Sequence, residues 1–287
     1  VRQLLLAATC LCGLVSPARA ADPAIVADVV YGHKDGMALT YDVIKPAEPN
    51  GAAVLWVQSG GWYSAWTDPK ALAAAGKPYL DKGYALVVVR HGSAPRYGIA
   101  DAAADIRRCV RAVRVKAKDH GFDPERLGIT GGSAGGHLSL LAGTTGDDGD
   151  PAAADPVLRQ SSRVAAVVAL FPPTDLREWV KNPPEAIKKI PALKPPLTFD
   201  PKLAPDLSPI AQVTAKSAPT LLIHGDKDEL VPLEHSRNIL PVLEAAKVPC
   251  KLVVVEGAGH GFSPEQNREV VVPAMLDWFD EHLAKKK

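Results

Sequence analysis

Short, apolar, β-branched runs alternate along this chain with stretches long enough for a helix, and that alternation limits the fold more than any other feature. Runs at 27–31, 38–44, 54–58, 85–90, 127–130, 164–170, 220–224 and 251–256 have the length and residue types of strands. Between them, 69–82, 99–118, 135–143, 234–246 and 264–284 carry amphipathic or Ala-rich helical patterns. Strands that alternate with helices build a mostly parallel sheet with helices on both faces. The first two runs are joined by a short turn around Lys34 and Gly36, which suits an antiparallel hairpin. An eight-stranded α/β sheet is the expectation.

The chain has 287 residues, 47% of them hydrophobic and 23% charged, which fits one globular domain and argues against disorder, a coiled coil or a multispan membrane protein. Lys and Arg total 33 against 32 Asp and Glu, so no strong field draws the chain toward nucleic acid. Residues 1–20 differ from the rest: Arg2, an apolar run at 4–15, then Ser16, Pro17 and the small-x-small triplet Ala18, Arg19, Ala20. This reads as an export signal cleaved before Ala21, leaving a domain at 21–287 in the periplasm or outside the cell. The apolar run is short of the roughly 20 residues that span a bilayer, so no stable membrane anchor is expected. Thr9 precedes Cys10 and Leu11 precedes Cys12, which does not suit a lipoprotein signal. Beyond the signal, Cys109 and Cys250 remain; an oxidising compartment permits a disulfide between them, but their spacing does not imply one.

One region breaks the alternation. Eight prolines from Pro183 to Pro209 prevent any long helix or central strand there. A connection of this length in a compact domain serves as a lid, a pocket wall or a surface linker. A Pro-rich lid or loop insert is expected at 174–217.

The densest local signal is Gly131-Gly132-Ser133-Ala134-Gly135-Gly136-His137, between the apolar run 127–130 and the helical pattern that follows. It satisfies G-x-S-x-G in the strand-to-helix setting that motif needs. The glycines two before and two after Ser133 let the helix pack on the strand, and the sharp turn projects the hydroxyl at the carboxyl edge of the sheet. A phosphate loop would need G-K-[ST] or G-x-G-x-x-G, and neither is present. A serine nucleophile requires a base, and the base requires an orienting carboxylate. Past the seventh run comes Gly225-Asp226-Lys227-Asp228-Glu229-Leu230-Val231-Pro232, and past the eighth Gly257-Ala258-Gly259-His260-Gly261-Phe262. Loops beyond the carboxyl ends of neighbouring strands share one sheet edge, so Ser133, an aspartate and His260 can converge there.

The order Ser, Asp, His resembles the α/β-hydrolase superfamily, in particular esterases near the hormone-sensitive-lipase and feruloyl- and acetylxylan-esterase-like (BD-FAE-like) branch. The likeness is clearest from Val54 to His260. In that family the acid lies in D-x-x-V-P, which selects Asp228 over Asp226; Asp226 is then left to hydrogen-bond the loop. The family's H-G-G-G-type oxyanion loop corresponds to Gln58-Ser59-Gly60-Gly61-Trp62, so the resemblance implies N–H donors at Gly60, Gly61 and Ala134. Trp62, Tyr63 and Trp66 follow that loop, Phe171 and Pro172 follow the sixth run, Trp179 stands beside the insert and Phe262 follows His260; these are the candidate pocket walls. His137 and His224 are expected to be structural. Asp147, Asp148 and Asp150 around Gly149 evoke a calcium loop without its ligand pattern, so neither a metal nor another cofactor is expected.

The resemblance implies a secreted serine carboxylic ester hydrolase acting through an acyl-enzyme on short-chain or carbohydrate (acetyl or feruloyl) esters. Two other readings stay open at this point. A prolyl-oligopeptidase-like peptidase shares the motifs but adds a gating domain, and a non-catalytic relative would bind a ligand in the pocket alone.

Overall fold

The computed structural model describes residues 23–285. The candidate export signal at 1–20 lies outside the described residues. Eight strands form a single sheet: β1 (Ala24–Lys34), β2 (Met37–Lys45), β3 (Ala53–Val57), β4 (Ala85–Val89), β5 (Leu127–Gly132), β6 (Ala166–Leu170), β7 (Thr220–Gly225) and β8 (Cys250–Val255). The helices are α1 (Pro69–Ala75), α2 (Lys77–Asp81), α3 (Ile99–His120), α4 (Ala134–Thr145), α5 (Arg177–Lys181), α6 (Glu185–Lys188), α7 (Glu234–Ala245), α8 (Pro264–Gln266) and α9 (Val272–His282). The order across the sheet is β1-β2-β4-β3-β5-β6-β7-β8. Both pairings of β2 are antiparallel and the rest are parallel.

Strand side chains alternate between two cores. In β4, Val87 and Val89 join the cluster under α3, α4 and α7, while Leu86 and Val88 join the one under α1, α2 and α9. Burial on both faces explains why the central strands read as unbroken apolar runs. The order of strands reverses direction between β3 and β5, which makes their carboxyl ends the crevice where such sheets hold ligands. The loop after β3 and the turn after β5 meet there.

Two helical stretches differ from expectation. The pattern at 69–82 is split at Gly76, because Pro78 has no N–H to continue the helical ladder. The pattern at 264–284 opens into a π turn at Asn267–Val271, just ahead of Pro273, whose missing N–H leaves the ladder short of a donor. The segment 174–217 contains α5, α6 and three 3-10 turns, at Pro191–Leu193, Pro201–Leu203 and Pro209–Gln212. Cys109 is buried in α3 and Cys250 half-buried at the start of β8, both as free thiols. The calcium-like aspartates are engaged otherwise: Asp147 receives Arg111, Asp148 receives Arg163, and Asp150 accepts the Ala152 N–H. Among the described residues no helix is long and apolar enough to cross a membrane.

Candidate active site

Ser133 occupies the turn between β5 and α4 with φ +53° and ψ −121°, a left-handed conformation that side chains rarely adopt. Such strain is of order 1–3 kcal/mol and persists only where the surroundings impose it. A Cβ on Gly131 would lie 2.5 Å from the Gly135 carbonyl carbon, and one on Gly135 would lie 2.7 Å from the Val57 oxygen. The backbone completes the clamp: Ser133 N–H donates to Leu170 O at 2.9 Å and Gly135 N–H to Ser59 O at 3.1 Å. The serine is thereby tied to β6 on one side and to the loop after β3 on the other.

His260 comes from beyond β8, three strands away from β5, so at about 4.8 Å per strand its loop must fold back across the sheet edge. Its Nε2 lies 2.9 Å from Ser133 Oγ and its Nδ1 2.8 Å from Asp228 Oδ2. The ring packs edge-on against Phe171, which fills the intervening strand end at a centroid distance of 4.8 Å. Asp228 is buried, and its Oδ1 accepts the N–H groups of Leu230 and Val231 at 3.0 and 2.9 Å. His224, fully buried on β7, approaches Asp228 Oδ2 at 3.3 Å through Nε2. That nitrogen also faces Val231 O at 2.8 Å, and two acceptors require a proton on it, so Nδ1 is left to accept from Ser236 Oγ. Burial alone would raise the Asp228 pKa; the hydrogen bonds from His224, His260 and Val231 outweigh it and hold the carboxyl well below the usual range. Asp226 faces elsewhere and accepts the Gly257 N–H at 2.7 Å. An alcohol, an imidazole and an ionised carboxylate joined in series can draw a proton from the alcohol as it attacks.

The three expected N–H donors separate into two kinds. Gly60 N–H donates to Tyr63 O at 3.0 Å within its own tight loop, so it is not available to a ligand, which corrects the expectation for this residue. The N–H groups of Gly61, at φ +56°, and of Ala134, first in α4, find no acceptor among the described residues. They are the pair able to receive an anionic oxygen beside Ser133, with the helix N-terminus adding its favourable field.

A family model for BD-FAE matches residues 41–243. The chain belongs to the BD-FAE family. It is similar to the probable carboxylic ester hydrolase LipM of Mycobacterium tuberculosis, at 29% identity over 74% of this chain and 49% of the relative. The chain spans about half the length of the curated relatives it matches. Among solved structures it resembles a truncated carbohydrate esterase from gut microbiota, with a TM-score of 0.77, 28% identity, and coverage of 94% of this chain and 99% of that one. It also resembles a propionate-bound thermophilic esterase from Thermogutta terrifontis, with a TM-score of 0.72, 26% identity, and coverage of 91% and 96%. The fold is that of an α/β-hydrolase.

In this BD-FAE protein a cavity of about 540 Å³ opens over Ser133 and His260. Trp62, Tyr63, Phe171 and Trp179 line it. Three expected wall residues do not. Trp66 is 63% exposed on the outer surface. Pro172 turns behind the site, 3.2 Å from where a Cβ on Gly136 would be, and its neighbour Pro173 lines the space instead. Phe262 props Phe171 from behind at a ring distance of 5.2 Å. Sequence reasoning missed Leu230 and Val231 from the acid loop and Ile187, Ile190 and Leu193 from the insert. The last three are spaced by three along α6 and the 3-10 turn after it, and that apolar spacing could have revealed them.

The buried His137 and the half-buried His235 fasten this wall. Trp62 Nε1–H donates to His137 Nδ1 at 3.2 Å, so His137 is protonated on Nε2, which donates to Leu207 O in the insert at 2.8 Å. His235 Nδ1 accepts the Thr174 N–H at 3.1 Å where the insert begins, and Trp179 meets its ring edge-on at 4.9 Å. Burial lowers both imidazoles to about 4.

Proposed function

We propose that the chain is a serine carboxylic ester hydrolase that works through an acyl-enzyme. The observation that carries this reading is His260, within 2.9 Å of Ser133 Oγ and 2.8 Å of Asp228 at the mouth of an apolar cavity. Ser133 Oγ attacks the ester carbonyl carbon while its proton passes to His260 Nε2. Asp228 holds the imidazole tautomer and stabilises the imidazolium. The oxyanion is received by the N–H groups of Gly61 and Ala134. The carbon–oxygen bond to the alcohol then breaks, His260 returns the proton to the departing oxygen, and the acyl group remains on Ser133. Water repeats the sequence, its proton going to His260 and then to Ser133 Oγ as the carboxylic acid leaves.

Short-chain and carbohydrate-linked acetyl or feruloyl esters are the proposed substrates. The lining from Tyr63, Phe171, Trp179 and Ile190 suits a small apolar or aromatic group, and the names of the similar proteins support an ester. The motif at 1–20 supports export, which belongs to the same proposal. A fluorophosphonate probe tests the reading: it should label Ser133 in the folded chain, and Ser133→Ala should neither label nor hydrolyse p-nitrophenyl acetate. Faster cleavage of a proline anilide than of any ester would replace this reading with a peptidase.

A further inference from the structure

A second cavity, of about 280 Å³, lies within the insert, and Ile187, Ile190 and Leu193 line it as well as the larger space over Ser133. The two spaces are thus divided by a partition one side chain thick. Ile187 is 5% exposed, Leu193 9% and Ile190 37%, and Leu193 is the member that rests on the oxyanion loop, where a Cβ on Gly61 would lie 2.5 Å from its Cδ2. Behind the partition stand Val180, Leu197 and Thr198. Lys188 is there too, but its ammonium is held by Glu185 at 2.7 Å. Lys194 and Thr198 stand at its exposed edge, so the far space offers a hydrocarbon chain apolar walls on the side of the partition and of Val180 and Leu197.

Given the ester hydrolase reading, the geometry also indicates which half of a substrate meets this partition. His260 must reach the leaving oxygen, so the alcohol lies on the side of the imidazole and Phe171. The acyl tail runs the other way, past Gly61 toward Leu193. We propose that Leu193, with Ile187 and Ile190, is the stop that sets acyl chain length, and that the space behind it, which opens to solvent beside Ile190, Lys194 and Thr198, is an extension of the acyl site. Short acyl groups end against Leu193; a linear chain of about eight carbons needs the space on the far side.

The test rests on ratios of kcat/KM. In Leu193→Ala, the ratio for p-nitrophenyl octanoate over p-nitrophenyl acetate should rise about tenfold or more, the scale on which apolar pockets discriminate chain length. The ratio for octyl acetate over ethyl acetate should stay within about twofold of the wild-type value. Adding Thr198→Trp, which fills the far chamber from its outer side, should return the octanoate ratio toward wild type. Because Leu193 touches Gly61, Ile187→Ala serves as the second opening: it thins the partition away from the oxyanion loop and should move the same ratio in the same direction. Acyl ratios unmoved in both variants, or alcohol ratios moved instead, would overturn the proposal. Ser133-dependent hydrolysis of p-nitrophenyl acetate by the wild-type chain is the separate check on the underlying reading, so the two failures are distinguishable.

Discussion

At the strand ends, Ser133, His260 and Asp228 are joined by hydrogen bonds of 2.8 and 2.9 Å, and each is pinned by backbone or by a buried neighbour. The insert above them presents Ile187, Ile190 and Leu193 through carbon alone, on short turns broken by proline. The first region depends on distances that a shift of 1 Å would spoil; the second depends on shape and can be altered one side chain at a time. Under the proposed function, reaction chemistry and substrate selection would occupy separate parts of the molecule, linked where Leu207 and Thr174 are held by His137 and His235.

The sharpest way to break this comparison is Ser133→Ala, expected to lower kcat on p-nitrophenyl acetate by at least about 10⁴-fold. Circular dichroism should be unchanged, because alanine keeps the backbone of the turn. Asp228→Asn should lower kcat about 10³- to 10⁴-fold by removing the charge that orients His260. Asp226→Asn, touching only the Gly257 N–H, should stay within about threefold in the same steady-state assay. The oxyanion loop separates its two glycines similarly. Gly61→Ala meets a left-handed φ and the Leu193 side chain, and should lower kcat by about 10²-fold, as loss of a donor does. Gly60→Ala has open space for its Cβ and an N–H already bonded to Tyr63, so its kcat should change less than about threefold.

The remaining effect concerns stability and pH and not turnover. His137 and His235 drop from 6.5 to about 4 on folding, so the unfolded chain takes up protons first as the medium acidifies. Their contribution is complete above pH 6.5 and declines as pH falls from 6.5 toward 4, by up to about 3 kcal/mol for each imidazole. Urea unfolding across that interval measures the slope. His137→Gln, which cannot take a proton, should flatten it, and an unchanged slope in that variant would remove His137 from the account.

Much of the frame was legible in the sequence. β-branched runs buried on both faces marked the strands, and Gly131 and Gly135 marked the turn whose contacts leave no room for a side chain. The D-x-x-V-P pattern pointed to Asp228, the carboxylate that stands 2.8 Å from His260. The pocket was harder to read. Trp66 and Pro172 are as apolar as Trp62 and Pro173 in the sequence, and only their backbone directions separate surface and support from wall. The breaks at Gly76 and ahead of Pro273 were written in prolines, yet a periodic pattern masked them.

Local sterics act within a few residues, so glycine, proline and β-branched side chains by themselves determined the strands and the serine turn. Tertiary structure decided what depends on partners distant in the chain. It lowered the imidazoles of His137 and His235 by taking them out of water, and it set Leu193 against the oxyanion loop. A hydrogen bond or a desolvation exists only once the second surface has arrived, and no pattern in one segment contains the other.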